Sequence, residues 1–289
     1  MVKLPKISVI TPSFNQAEFI EQTILSVIGQ QYPNLEYIVI DGGSTDGTLE
    51  IIKKYEKNIH YWVSEKDAGQ SNAINKGFKV ATGDILCWLN SDDYYLPETL
   101  FTVASILINS KADLLHGNCI HINEKSNFTH GSYFDLEKKW DINHGDYILQ
   151  PSSFWTRRTF ELTGTLREDL HFGFDWEWFA RANSVGVNFI STTRFLSVYR
   201  IHGEQKSNNE NIERFKELIG IEKQFNPDKF VYINKKLKND FFRAYILAEF
   251  ALFRKVKYRI LKLLYPKLMK LVDRSYLKRY VEYFYEQSK

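Results

Sequence analysis

Ile85-Leu86-Cys87-Trp88-Leu89-Asn90-Ser91-Asp92-Asp93 is the stretch on which the fold turns. Its apolar run, 85–89, is short and unbroken, as in a strand covered on both faces. It stops at four polar residues, two of them carboxylates. The same grammar occurs three times upstream. Residues 7–11 are apolar up to Pro12, 37–40 run straight into Asp41, and 59–63 form a third such segment. Helical patterns lie between them. Ile20, Ile24, Val27 and Ile28 recur at helical spacing, after a capping-box-like Asn15 and Glu18 and before Pro33. Leu49, Ile52 and Tyr55 open a second helix, and 70–80 a third. Strand and helix in alternation predict right-handed crossovers and an α/β fold with a mainly parallel sheet. Ligands bind such sheets beyond the carboxyl ends of the strands. Those ends carry three polar loops, 12–15, 41–48 and 90–93, which are expected to form one site.

From about Asp113 the pattern becomes irregular and aromatic, with His116, His121, Trp140 and Trp155, and predicts short strands and loops. Residues 171–181 read as helical in their second half, and 187–198 hold at least one strand. A polar stretch, 203–211, separates a body over 1–205, with halves 1–112 and 113–205, from a helical extension over 206–289.

Composition limits the functions available. With 44% hydrophobic and 25% charged residues the chain is globular. Its net charge of +3 is unevenly spread: 235–279 holds 14 Lys or Arg against three acids, which leaves the body acidic. Within 241–271, basic residues alternate with aromatic and aliphatic ones at helical spacing. That pattern suits an anionic membrane surface, or a helix packed on protein with a solvated basic face. An acidic body with an aliphatic-rich tail argues against nucleic acid as a partner. Cys87 and Cys119 sit among small or apolar residues, as buried free thiols do. The first six residues are too short and polar for a leader, and no stretch is long and apolar enough to cross a bilayer. The expected location is cytoplasmic, with peripheral contact at the inner face of the membrane through the tail.

Asp92 and Asp93 at a strand end offer hard oxygen ligands to Mg2+ or Mn2+, which bind few protein groups and keep water or phosphate oxygens. A helix cap or turn is the rival role for such a pair. The 41–48 loop has three glycines before a helix, yet matches neither G-x-G-x-x-G nor a P-loop. Ile52 stands where a calcium loop needs its closing Glu. Asp41 is left at a strand end to accept hydrogen bonds from a base or ribose, or to hold the turn with Asp46.

Four motifs in register then resemble glycosyltransferase family 2. They are Ile7-Ser8-Val9-Ile10-Thr11-Pro12-Ser13-Phe14-Asn15, Ile40-Asp41-Gly42-Gly43-Ser44-Thr45-Asp46-Gly47-Thr48, Ala81-Thr82-Gly83-Asp84 and Leu89-Asn90-Ser91-Asp92-Asp93. The resemblance covers roughly residues 5–205. It implies the GT-A fold and an inverting transfer from a nucleotide-sugar donor, a UDP-sugar first among them, to a glycan or lipid-linked acceptor in cell-surface polysaccharide assembly. It further implies dependence on Mn2+ or Mg2+, and it leaves room for a homodimer. Pro12 and Phe14 fall where the family lines the base, Asp41 on its nucleoside-binding acid, and Ser91 and Asp92 in its D-x-D motif. Asp67, before the 70–77 segment, is a donor contact. Asp92, with Asp93 beside it and His202 after the last strand, forms the implied metal set. Asp175, in Gly173-Phe174-Asp175-Trp176-Glu177-Trp178, aligns with the general base, with Glu177 as substitute and helix capping as its rival role. Trp155 is either a sugar platform or a core residue.

Three positions depart from the family pattern. Gly42 stands where a second acid is usual, Asn90 replaces the first Asp of D-x-D, and Phe174 replaces an acid. They motivate the competing expectation of a catalytically impaired relative that binds a nucleotide sugar as a partner or regulatory subunit.

Overall fold

A computed structural model describes residues 4–132, 142–144, 147–203, 205–206, 212–228 and 231. Trp140 and the basic 241–271 segment lie outside the described residues. The four apolar runs become β1 (Ile7–Ser13), β2 (Leu35–Asp41), β3 (Tyr61–Ser64) and β4 (Ile85–Trp88). Between them lie α1 (Ile20–Ile28), α2 (Thr48–Lys54) and α3 (Gln70–Val80). The strands lie side by side as β3-β2-β1-β4, all parallel. Every residue of β1 and β4 is buried, so their sequence shows continuous apolar runs instead of alternation.

Pro12 does not end β1. It pairs with Ile40 of β2 but lies past the last β4 pairing, Ile10 with Trp88, so its missing N–H deprives no neighbour. Asn15 does not cap α1, which begins later and has no side-chain cap at Phe19. Asn15 instead takes a left-handed conformation, φ 52°, which Asn tolerates better than most residues. There its N–H donates to Ser44 Oγ at 2.7 Å and its Oδ1 accepts from Thr45 N–H at 2.9 Å.

The second half is where strand directions mix. After β5 (Tyr94–Tyr95) and α4 (Thr99–Asn109) come β6 (Leu114–Asn123), β7 (Phe128–Ser132) and β8 (Ser153–Thr156). Then follow α5 (Arg157–Thr163), α6 (Phe174–Ser184) and β9 (Phe189–Ile201). The sheet continues from β4 as β8-β6-β9-β5, with β7 beside β6. β8 is antiparallel to both neighbours, β6 and β9 run parallel to each other, β5 pairs antiparallel with β9, and β7 antiparallel with β6. The parallel arrangement expected from the first half thus holds there, and the whole nine-stranded sheet is mixed.

Two packing details fix the site's frame. Aromatic rings fill the space beside β4: Trp155 lies 5.4 Å from Trp88 and 4.6 Å from Trp178, centroid to centroid. Trp155 is fully buried, which makes it a core residue and excludes the sugar-platform role. At the sheet's other end, Glu36 takes Lys6 Nζ at 2.6 Å, Ser8 Oγ at 2.5 Å and both Thr82 N–H and Oγ1 at 2.6 Å. Burial alone would raise this carboxyl, but those hydrogen bonds outweigh it and bring the pKa to about 2. The Ala81-Thr82-Gly83-Asp84 motif is therefore a clamp between strand starts. Cys87 and Cys119 are buried free thiols, as expected.

The chain divides into two units, 1–205 and 206–289. The first contains the whole sheet. The described part of the second is chiefly one helix, α7 (Ile212–Phe225). Among the described residues no helix is long and apolar enough to cross a membrane.

Candidate active site

The loops after β1 and β2 are built as one piece. Asp46 accepts from Ala17 N–H at 2.9 Å and from Thr48 Oγ1 at 2.6 Å, while Gln16 N–H donates to Thr48 Oγ1. Asp41 is fully buried. Its Oδ2 accepts from Gly43 N–H at 3.0 Å, Ser44 N–H at 2.9 Å and Ser64 Oγ at 2.7 Å, and its Oδ1 from Ser44 Oγ at 2.5 Å. Three donors converge on Oδ2 and one reaches Oδ1, so this carboxylate braces the loop that follows β2. Pro12 is buried beneath the loop, whereas Phe14 is 59% exposed and offers its ring to the cleft. Asp67 is half-buried, with Oδ1 accepting from Gly69 N–H at 2.8 Å.

Beyond β4, Asp92 and Asp93 point different ways. Asp92 keeps about a fifth of its side chain exposed, and its Oδ2 lies 3.1 Å from His202 Nε2. Asp93 is 1% exposed; its Oδ1 accepts from Arg200 N–H at 3.0 Å, and Asn90 Nδ2 stands 3.5 Å from its Oδ2. Burial, then the nearby Asp92 charge, push its carboxyl well above the usual range. Asp93 pins the end of β9 and faces away from the cleft, which removes it from the metal set. Ser91 is also buried, with its carbonyl accepting from Thr23 Oγ1 at 2.9 Å.

Arg200 went unnoticed in the sequence. Buried to 3% exposure, it donates from Nε to the Asp92 carbonyl at 3.1 Å and from Nη2 to Gln22 Oε1. Its guanidinium lies 4.9 Å from the Phe19 ring centroid, and that same ring sits 4.7 Å from His202. Phe19 and Arg200 thus hold Asp92 and His202 in place. The only signal was an Arg two residues before His202 on a strand. Three amides were missed too. Gln70 Nε2 donates to Asn90 Oδ1 at 2.8 Å, Asn90 Nδ2 to Gln150 Oε1 at 3.3 Å, and Gln150 Nε2 to the Trp88 carbonyl at 2.8 Å. Asn90 both donates and accepts here, which a carboxylate cannot do.

Asp175 stands half-buried in the first turn of α6, with Trp176 N–H donating to its Oδ1 at 2.8 Å. Glu177 is 1% exposed and grips Arg181 at two points, 2.9 and 3.0 Å. That bidentate pair takes it out of contention as a substitute base. Phe174 is buried, 6.3 Å from Trp88, so an apolar ring joins the aromatic wall where the family places an acid. The loop before α6 is fastened to α3: Asn75 Nδ2 donates to the Leu166 carbonyl at 2.9 Å, and Asn72 and Asn75 both reach Glu168 at 2.8 Å.

A metal can be tested against these donors. Among the described residues no group of three His, Cys, Asp or Glu could hold one, so a closed structural zinc site is not available. Asp92 and His202 supply one oxygen and one nitrogen, 3.1 Å apart. Adjacent ligands of an octahedral ion with bonds of about 2.1 Å stand roughly 3 Å apart. The pair therefore has the spacing of two adjacent ligands of an octahedral divalent ion that draws its other ligands from phosphate and water.

The family model described as Glycosyl transferase family 2 matches residues 8–183. Among curated relatives, TuaG of Bacillus subtilis, a glycosyltransferase named for teichuronic acid biosynthesis, is 41% identical over 99 residues, 33% of this chain and 39% of TuaG. The poly(ribitol-phosphate) beta-N-acetylglucosaminyltransferase TarS of Staphylococcus aureus is 33% identical over 115 residues, 38% of this chain and 20% of TarS. The chain thus spans less than half the length of these relatives. TarS 1–349 in complex with UDP-GlcNAc superposes with a TM-score of 0.62 at 18% identity, covering 92% of this chain and 79% of that one. The mannosyltransferase PcManGT of Pyrobaculum calidifontis, in complex with GDP-Man and Mn2+, gives 0.66 at 17%, covering 99% and 88%. At such identities the structural likeness speaks for the fold.

Proposed function

The chain belongs to glycosyl transferase family 2, and from that premise we propose that it transfers a sugar, with inversion, from a nucleoside diphosphate donor to a hydroxyl of a glycan or lipid-linked acceptor. The observation that carries this reading is the Asp92–His202 pair at the end of β4, held by Arg200 beneath it. Mn2+ or Mg2+ held by that pair would offset the negative charge that develops on the leaving diphosphate. The base stacks on Phe14, whose exposed ring stands on the loop that Asp41 shapes. Asp175 accepts the proton of the attacking hydroxyl, and its aromatic neighbours keep water from that carboxylate. Arg200 and Phe19 keep Asp92 and His202 aimed at the phosphates.

The relatives named for teichuronic acid and poly(ribitol-phosphate) polymers support a cell-surface polymer as the acceptor class. The solved neighbours hold a uridine donor in one case and a guanosine donor in the other, so base choice rests on this chain's own residues. Nothing favours the non-catalytic alternative, because each departure behind it has a local account. Asn90 serves an amide chain, Phe174 an aromatic wall, and Gly42 stands beside the Asp67 carboxylate.

The test is a transfer and donor-hydrolysis assay over a panel of nucleotide sugars, with Mn2+ and with chelator. Turnover should require the metal and should collapse in Asp92→Asn and Asp175→Asn. If both variants turned over like wild type, the reading would be overturned.

A further inference from the structure

Three amides are joined in a line beside the turn that carries Asp92, and one carbonyl fixes which way each of them faces. Gln70 begins α3, Asn90 stands just past β4, and Gln150 just ahead of β8. Gln150 Nε2 donates to the Trp88 carbonyl at 2.8 Å. A carbonyl only accepts, so Gln150 must turn its NH2 group to Trp88 and its Oε1 to Asn90. Asn90 then has to present Nδ2, at 3.3 Å, and keeps Oδ1 to accept from Gln70 Nε2 at 2.8 Å. Asn90 also opens the turn itself, its carbonyl accepting from Asp93 N–H at 3.1 Å. Trp88 and Gln150 are both buried, and in such a place two facing oxygens are costly.

From this we infer that Gln70, Asn90 and Gln150 are positioning residues for Asp92, and that the line works only with an amide at 90. The inference rests on the donor reading above and concerns how that same site is held. The line joins the two halves of the body, 1–112 and 113–205, at the residue that leads into Asp92. It sets the turn after β4 in register with the start of α3 on one side and the segment before β8 on the other. An ionised acid at 90 would set one of its oxygens against Gln150 Oε1. Turning the Gln150 amide over only moves the clash to the Trp88 carbonyl, because that end of the line can never donate. The departure from D-x-D at Asn90 is thus required by this chain's own frame, and restoring the family's acid there harms the site.

The measurement is the kinetics of donor hydrolysis by the full chain in Mn2+ at about pH 8, well above the ordinary carboxyl range. The donor is the nucleotide sugar that wild type turns over fastest in the panel above, and thermal unfolding of each variant is the folding control. Asn90→Asp should lower kcat by about tenfold or more, the loss expected when a buried donor and acceptor become two facing acceptors. KM should change by less than about threefold, since the loss falls on the aim of Asp92 and not on uniform binding. Gln150→Met, close in shape but without donor or acceptor, should lower kcat with no change of charge. Gln150→Lys should restore kcat in the Asn90→Asp background, because an ammonium has only donors and can serve both an acid at 90 and the Trp88 carbonyl. In the wild-type background the same change should bring no gain. A folded Asn90→Asp or Gln150→Met with the wild-type kcat overturns this inference and leaves the donor reading standing. So does a Gln150→Lys change that fails to improve Asn90→Asp, or that raises both backgrounds alike. Variants that lose their fold assign the amides to stability instead and overturn it too. A wild type that turns over no nucleotide sugar overturns both.

Discussion

Asp92 and Asp93 are neighbours in sequence with opposite fates, and substitution should separate them. Asp92 has a cleft-facing oxygen beside His202, whereas Asp93 is buried against Arg200 N–H. Asp92→Asn should cost a hundredfold or more in turnover, about the size of effect seen when a charge-stabilising group is lost, and should abolish the stabilisation by Mn2+ seen in thermal unfolding. Asp93→Asn keeps an acceptor for Arg200 and changes little charge at a carboxyl pushed toward its neutral form; turnover should stay within about tenfold. Equal losses in both would place Asp93 in the cleft after all. Asp175→Asn should lower kcat by about 10²–10⁴-fold while donor affinity, read by titration, stays near wild type. Identities at this scale were readable because carboxylates at strand ends are few. Orientation was not: a sequence shows no difference between the outward Asp92 and the inward Asp93, nor that Asp41 braces its own loop.

Single elements carry two further expectations. Glu36 opens β2 and ties Lys6 and Thr82 to it. Its folded pKa of about 2 lies below the ordinary 4.5, so the stability it contributes is complete above the ordinary value and is lost as pH falls toward 2. Wild type should therefore lose more Tm than Glu36→Gln between pH 5 and pH 2, both being followed by circular dichroism. At neutral pH the variant should be less stable by about 1.5–3 kcal/mol. Gly77 lets α3 lie close on β1, since a Cβ there would come within 2.4 Å of Ile10 Cγ2. Gly77→Ala should destabilise by about 1–3 kcal/mol in denaturant unfolding through overpacking, despite the better helix propensity of Ala. The β1–β4 half was legible because fully buried strands leave unbroken apolar runs. β9 was legible only as at least one strand over 187–198, and β6 was not, because His116 and His121 interrupt its run and its partners β8 and β9 lie far away in the chain. α4 was passed over although its sequence is apolar and Pro97 stands two residues before it.

Charge belongs to the whole molecule. The basic segment 235–279, with 14 Lys or Arg against three acids, should bring the full chain to vesicles containing anionic lipid and release it at high salt. A version ending near Asn226 should remain unbound in the same flotation assay; equal behaviour of the two would remove the membrane role from the tail. The large sheet has a consequence of its own. Its described margins are β3 with 4 residues, β5 with 2 and β7 with 5; on the side of the 13-residue β9 away from β6, only Ser197 and Val198 pair with β5. Short margin strands are one means by which sheet proteins avoid edge-to-edge aggregation, and they leave the outer side of β9 as the longest run of edge without a paired strand among the described residues. The sheet can in this way carry its polar loops at one end of its strands while most of its margins stay too short to template a fibril.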